Sequence, residues 1–425
     1  MTQTRNLCLA LAAACASTAS YAAAPAGRHF EWTTQSADAK RMLIDLQQRV
    51  ENFQAGPENL ELARKLVAAD PNFAMGVYYL SVFTTPPDEA VAQYQKSREL
   101  AKKASAGERR FIEGMSHARL NQGLGFRRSI QPLEALAEDY PGERLVFMIL
   151  GQLYNADAQG DKAKGAFEKA LTLGPRSPRA EAFLAGDALL KGQYSEARRA
   201  YLEIEKSLPK GSVPFNIRFG VTFSHLYEGN PDAALESLRT YLAEYKARGL
   251  DQQFPEAFIW NAMARINLES ARLEEAQKCY RNGYESIPGS TLSEDQKKTW
   301  LGRLRHGMSR TLARMGKQKE AWAEAEAVRE MLLTGGEAGR QYWPAYHYLA
   351  GYAKLEAGDA AAALEHLLQA DTNDPFHRLL LARAYEKLGR KDEAKASYQT
   401  IVDSQWAGIE RPLAYPEAKR KLQSL

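Results

Sequence analysis

A six-position spacing recurs along this chain, and such a repeat dictates the architecture more strongly than any single motif could. From Leu150 to Gly151, Tyr154, Ala163, Phe167, Ala170 and Pro175 the steps are 1, 3, 9, 4, 3 and 5. Leu381, Ala382, Tyr385, Ala394, Tyr398 and Ile401 follow the same steps and lack only the proline. Gly351, Ala363, Leu367, Ala370 and Pro375 form another copy, as do Ala264, Ala276, Tyr280, Gly283 and Pro288. A fifth, Leu184, Ala185, Ala197, Tyr201, Ile204 and Pro209, starts 34 residues after the first. Small residues are needed where two helices cross, because a larger side chain would hold the axes beyond the roughly 8–10 Å of close packing. The aromatic or leucine four residues later lies on the same helical face and fills the gap to the next pair of helices. Gly192, Gly229, Gly316, Gly358 and Gly389 fall in the turn inside each pair, where a left-handed C-cap favours glycine. Pro175, Pro209, Pro288 and Pro375 are expected to end second helices, which proline cannot continue. No strand-period alternation of useful length interrupts the pattern, so the fold is expected to be all-α.

The spacing resembles the tetratricopeptide repeat, a helix–turn–helix of 34 residues. That resemblance implies a right-handed superhelical solenoid of hairpins, covering residues 143–405 as the repeat array. Residues 39–142 read as degenerate helical repeats: Tyr78–Leu80 pairs with Glu89–Leu100 around Pro86-Pro87, and Phe111 and Met115 pair with Leu133 and Leu136 across a Gly123 turn. Residues 23–38 read as an unstructured lead-in, and Thr334–Tyr342 as a loop or longer helix end. Residues 406–425 read as a charged capping helix over the last apolar face.

The first 22 residues have the layout of a secretory signal peptide. Arg5 precedes the apolar run Leu7–Ala16, and Ser20-Tyr21-Ala22 offers a cleavage site. The expectation is an exported bacterial protein, periplasmic or secreted. The alternative is an outer-membrane lipoprotein anchored at Cys15, because Ala12-Ala13-Ala14-Cys15 is a weak lipobox. Cleavage after Ala22 leaves Cys279 alone, most simply as a small buried hydrophobe. No later stretch approaches 18 uncharged apolar residues, so no transmembrane segment is expected. Lys+Arg 56 against Asp+Glu 52 gives a net charge of +4, too balanced to imply nucleic-acid binding.

Signals of chemistry are sparse. The seven histidines show no H-E-x-x-H spacing, and neither a G-x-S-x-G nor a P-loop motif is present. Gly123-Leu124-Gly125 reads as a turn rather than a dinucleotide site. His366 and His377, in neighbouring repeats, could meet as a metal pair, but scattered histidines on helices are more simply structural or solvated. No cofactor, metal or catalytic residue is therefore expected.

In the family that the repeats resemble, the first helix of each hairpin lines a concave groove. Carried onto this sequence, the groove positions are Phe219, Phe223, Tyr227, Phe258, Asn261, Arg265, Arg303, His306, Arg310, Arg314, Tyr348, Tyr352 and Arg383. They form aromatic patches with an arginine row between, the composition of binding hot spots. Arg303, Arg310 and Arg314 recur at 7 and 4 residues, on one helix face. Guanidinium groups pair with carboxylates in a bidentate manner, so the expected ligand is a peptide or protein segment with acidic residues. The blander alternatives are that the aromatics pack as core and that the arginines pair with glutamates of adjacent hairpins. As function, the sequence supports a non-catalytic protein–protein interaction scaffold. Two alternatives stand beside it: an accessory subunit of an envelope assembly or secretion complex, and an unrecognised enzyme with its site in residues 30–141.

Overall fold

The computed structural model describes residues 27–425 except 55, 85, 121–122, 210–211, 213, 250–255, 291 and 293. The signal segment, its cleavage site and Cys15 lie outside the described residues. The chain runs through α1 (Ala37–Glu51), α2 (Pro57–Ala69), α3 (Ala74–Phe83), α4 (Pro87–Ala101), α5 (Ala106–Gly114), α6 (Ser116–Leu120) and α7 (Ile130–Asp139). Five regular hairpins follow: α8 (Arg144–Ala156) with α9 (Gly160–Thr172), α10 (Pro178–Leu190) with α11 (Tyr194–Lys206), α12 (Phe215–Tyr227) with α13 (Pro231–Ala247), α14 (Ala257–Glu269) with α15 (Leu273–Glu285), and α16 (Glu294–Arg314) with α17 (Gln318–Thr334). After the short α18 (Gly336–Arg340) come α19 (Trp343–Glu356) with α20 (Ala360–Leu367), α21 (Pro375–Lys387) with α22 (Lys391–Asp403), and a last helix, α23 (Glu410–Leu422). Successive hairpins stack into an all-α superhelical solenoid, and the described residues contain one isolated bridge, Gln54 to Ser212, in place of any sheet.

Local chemistry explains where helices begin and turn. The side chains of Ser36, Ser105, Ser177, Asn230 and Asp359 each accept a hydrogen bond from a backbone N–H of the first turn. Gly192, Gly229, Gly316, Gly358 and Gly389 all have φ between 72° and 89°, in the turns where the spacing placed them. Pro375 does not end a helix as expected: it opens α21, where a missing N–H has no partner to lose. Part of Thr334–Tyr342 is likewise helical, as α18. At the crossings, Ala163, Ala197, Ala276, Ala363, Ala382 and Ala394 are fully buried. A Cβ on Gly151 would sit 2.8 Å from the Phe167 ring, and one on Gly351 would sit 2.6 Å from Leu367, so only glycine allows these pairs to close.

The segment expected to be an unstructured lead-in is instead fastened to the array over its described part. The Phe30 N–H donates to Glu143 Oε2 at 3.1 Å, and the buried Phe30 ring meets Phe111 and Tyr140. Thr33 donates to Glu108 Oε2 from its N–H at 3.0 Å and from its hydroxyl at 2.7 Å, while the Met75 N–H donates to the other oxygen. Burial raises the Glu108 carboxyl, and these three bonds oppose the rise. The buried carboxylate of the 30–141 region therefore pins the amino-terminal strap.

The superhelix also touches itself across distant hairpins. At the end of α1, Glu51 receives a bidentate pair from Arg144, both bonds at 2.6 Å, and Arg179 donates to the Val50 carbonyl at 3.0 Å. At the other end, α23 packs on its neighbour α22 and also reaches α21 and the distant α12. It thereby covers the last hairpin and ties it to a hairpin far earlier in the chain.

Candidate binding surface

The expected groove residues lie on the first helices of successive hairpins, α12, α14, α16, α19 and α21, and they separate into three groups. Some are core. Tyr348 and Tyr352 are 2% and 1% exposed, Tyr227 and Arg310 are also buried, and none of the four lies open to a ligand. Arg310 donates to the Tyr348 hydroxyl at 3.1 Å and to the Tyr280 hydroxyl at 3.0 Å, so it cross-links three hairpins from within. Burial alone would lower its pKa, and the surrounding tyrosines raise it instead. The i, i+7 spacing did put Arg303 and Arg310 on related faces of α16. It could not show that the next hairpin covers Arg310 and leaves Arg303 exposed.

A second group packs laterally. Phe219 stacks on Phe215 at 4.2 Å and meets Phe223 edge-on at 5.7 Å; Phe258 meets Trp300 edge-on at 4.9 Å. The Arg303 guanidinium lies over Trp300 and Phe258, at 5.0 and 5.6 Å. With Asn261, Tyr280 and Leu304, Arg303 and Trp300 line a shallow surface depression. His306, Tyr348 and His377 form a three-ring stack with centroid separations of 5.2 and 4.0 Å. Burial, followed by the nearby Arg265, pushes His377 down to about 4, and burial with Arg310 takes His306 well below its usual range. Both rings are thus neutral near pH 7. Arg314 donates to the Leu268 carbonyl and sits 3.6 Å from Glu269, a carboxylate that burial raises despite four neighbouring arginines.

The third group faces α23. Arg265 on α14 pairs with Glu410, and Arg383 on α21 grips Glu417 with two bonds of 2.9 and 2.6 Å. From α23, Arg411 donates to the Tyr227 hydroxyl on α12 at 2.8 Å, and Tyr415 meets the Tyr227 ring edge-on at 5.3 Å. Ile409 and Leu413 add apolar contact to the hydrophobic cluster of α12–α15. Burial would raise the Glu410 carboxyl, but Arg265 and the Trp406 indole, which donates at 3.0 Å, hold it at about 2. The groove positions Arg265 and Arg383 thus have carboxylate partners, and the chain itself supplies them.

Other placements differ from the sequence reading. His366 does not meet His377; its Nδ1 lies 3.0 Å from Nδ1 of His347. Among the described residues no group of three or more His, Cys, Asp or Glu could hold a metal ion, and no helix is long and apolar enough to cross a membrane. Cys279 is buried, and burial pushes its thiol up to about 11. Sequence reasoning missed Tyr227 as a hydrogen-bond acceptor, together with Arg411 and Tyr415. The alternation of Glu410, Arg411, Tyr415 and Glu417 on one charged helix was the available signal.

Residues 378–405, spanning α21 and α22, match the family model of the tetratricopeptide repeat. No curated protein sequence matches this chain. Among solved structures, a tetratricopeptide repeat protein from Parabacteroides merdae is similar at 15% identity and a TM-score of 0.45, over 65% of this chain and 98% of that one. The human IFIT1 dimer with PPP-AAAA is similar at 15% identity and a TM-score of 0.46, over 87% and 95%. PilW, a type IV pilus biogenesis factor, is similar at 13% identity and a TM-score of 0.37, over 68% and 97%. None of these likenesses identifies what this chain binds.

Proposed function

We propose that this chain is an exported protein-interaction scaffold whose concave side takes a helical segment of a partner protein. A stack of hairpins of this type presents surface, and its function resides in the contacts grafted onto that surface. One observation carries the reading. Side chains from three separate hairpins, Tyr227, Arg265 and Arg383, converge on a single helix and hold it by paired charges and an aromatic contact. A groove that already seats one helix has the shape and chemistry for helix-in-groove recognition.

In-cell photocrosslinking from the exposed Arg303, at the lip of the concave side, tests this. Tyr352 would be a poor choice, being buried. A protein captured from Arg303 and not from the exposed Leu333 on α17 supports the reading. Capture only from Leu333, or from neither, overturns it. Export rests on the Arg5, Leu7–Ala16 and Ser20-Tyr21-Ala22 layout, and amino-terminal sequencing of the mature protein checks it. A start at Ala23 is expected, a start at Cys15 makes it a lipoprotein, and an intact Met1 contradicts both.

A further inference from the structure

We propose that α23 is a displaceable internal ligand, and that the cleft it fills between α12, α14 and α21 docks an amphipathic helix of another protein carrying two carboxylates seven residues apart. The inference deepens the scaffold reading and rests on it.

The first support is charge complementarity at matched spacing. Glu410 and Glu417 lie two helical turns apart on one face. Their receptors, Arg265 and Arg383, stand on different hairpins. Both pairs are largely screened from solvent, with side-chain exposures of 12% and 19% for Arg265–Glu410 and 28% and 21% for Arg383–Glu417. A buried guanidinium without its carboxylate is strongly unfavourable, so the site should exchange one acidic helix for another rather than stand open.

The second support is the slight anchoring of α23 itself. Its N-cap, Ile409, provides no side-chain hydrogen bond, and Pro416 removes a backbone donor from the helix interior. The residues it buries are Arg411, Pro412, Ala414 and Ala418, whereas α21 buries Phe376, Leu379, Leu380 and Leu381. Leu413, Tyr415 and Leu422 are only partly buried against neighbouring clusters, so a 13-residue helix that is marginal by itself is held by this modest apolar contact together with the polar pairs. The receptor side chains, by contrast, have other supports. Tyr227 stacks on Tyr194 at 5.2 Å with the rings nearly parallel, and the Arg265 guanidinium lies 5.5 Å over the Phe376 ring. These contacts would hold Tyr227 and Arg265 in place when α23 leaves.

The test uses the full chain and a labelled peptide of residues 404–425. In the E410R/E417R variant, like charges face Arg265 and Arg383 and expel α23 in cis. This variant should bind the peptide at least tenfold more tightly than the wild type, with affinity falling as salt rises. An R265E/R383E variant should lose the native peptide and bind a peptide carrying the E410R/E417R changes. Native-like helical content by circular dichroism with no gain in peptide binding overturns the proposal, as does unchanged binding of the native peptide to R265E/R383E. If the reversed variants do not fold, hydrogen exchange on the wild type decides. Amides of 410–422 that exchange faster than those of 379–387, increasingly so with salt, support displacement; equal protection overturns it. A negative result here, with Arg303 still capturing a partner in cells, removes the displaceable helix and leaves the scaffold reading intact.

Discussion

Ala158 and Ala271 hold backbone conformations that the other hairpins give to glycine. Their φ values are 56° and 59°, at turns equivalent to those of Gly192, Gly229 and Gly389. An L-residue with a Cβ is strained there by roughly 1–2 kcal/mol, while glycine adds some unfolded-state entropy. Ala158→Gly and Ala271→Gly should each stabilise the fold by about 0.5–1 kcal/mol, measured as a rise in the denaturant midpoint at unchanged slope. A lowered midpoint would show that these turns are relaxed as alanine. Glu410 makes a second prediction at this scale. Its carboxyl lies at about 2 against an ordinary 4.5, because Arg265 and Trp406 outweigh its burial. Arg303, Asp374 and His377 also lie in its field. The depressed group contributes its stability above pH 4.5 and loses it as pH falls toward 2, at up to roughly 1.4 kcal/mol per pH unit. Trp406 emission should report the release of α23 in that window, and Glu410→Gln should remove the transition. A Glu410→Gln chain that keeps it would assign the effect to another carboxyl.

At the scale of elements, the hairpins were legible because their signals are local. Residues separated by 3, 4 and 9 positions meet inside one hairpin, and the small residues at those positions are the buried ones. Ala363 is fully buried, with its carbonyl 3.2 Å from where a Gly351 Cβ would lie. Ala363→Leu should therefore cost about 1–3 kcal/mol by overpacking, read from chemical denaturation; a neutral change would mean that α19 and α20 cross elsewhere. The groove was legible only in part. Arg265 and Arg383 do take carboxylates, those of Glu410 and Glu417. The partner is a helix 145 residues from Arg265 and 34 from Arg383 in sequence, and no periodicity encodes such pairings. Tyr348 and Tyr352 were misplaced for a related reason. On a first helix, one aromatic spacing serves both a groove and the packing against the next hairpin, and the neighbouring hairpin decides which.

At the scale of the whole molecule, burial is spread through separate clusters, including those of residues 30–180, 185–227, 226–280 and 312–418. A simple solenoid has only neighbour contacts and stability that adds along the array. Here long-range ties at both ends modify that picture, among them Glu51 with Arg144 near the start and, as a second, α23 with α12 near the end. Charge reversal at Glu410 and Glu417 should loosen the second tie and leave the hairpins standing, so far-ultraviolet circular dichroism should change by little more than one helix. A global loss of helix would make α23 part of the folding core. The central claim, that the carboxy-terminal helix occupies the concave side, is tested most directly by a pulsed dipolar distance measurement. Spin labels would be placed at the exposed Asp232 and Lys419, with Cys8 and Cys15 replaced by serine and Cys279 shielded by burial. The account predicts one short, narrow distance population in the wild type and a long, broad one in E410R/E417R. A broad distribution already present in the wild type would contradict it.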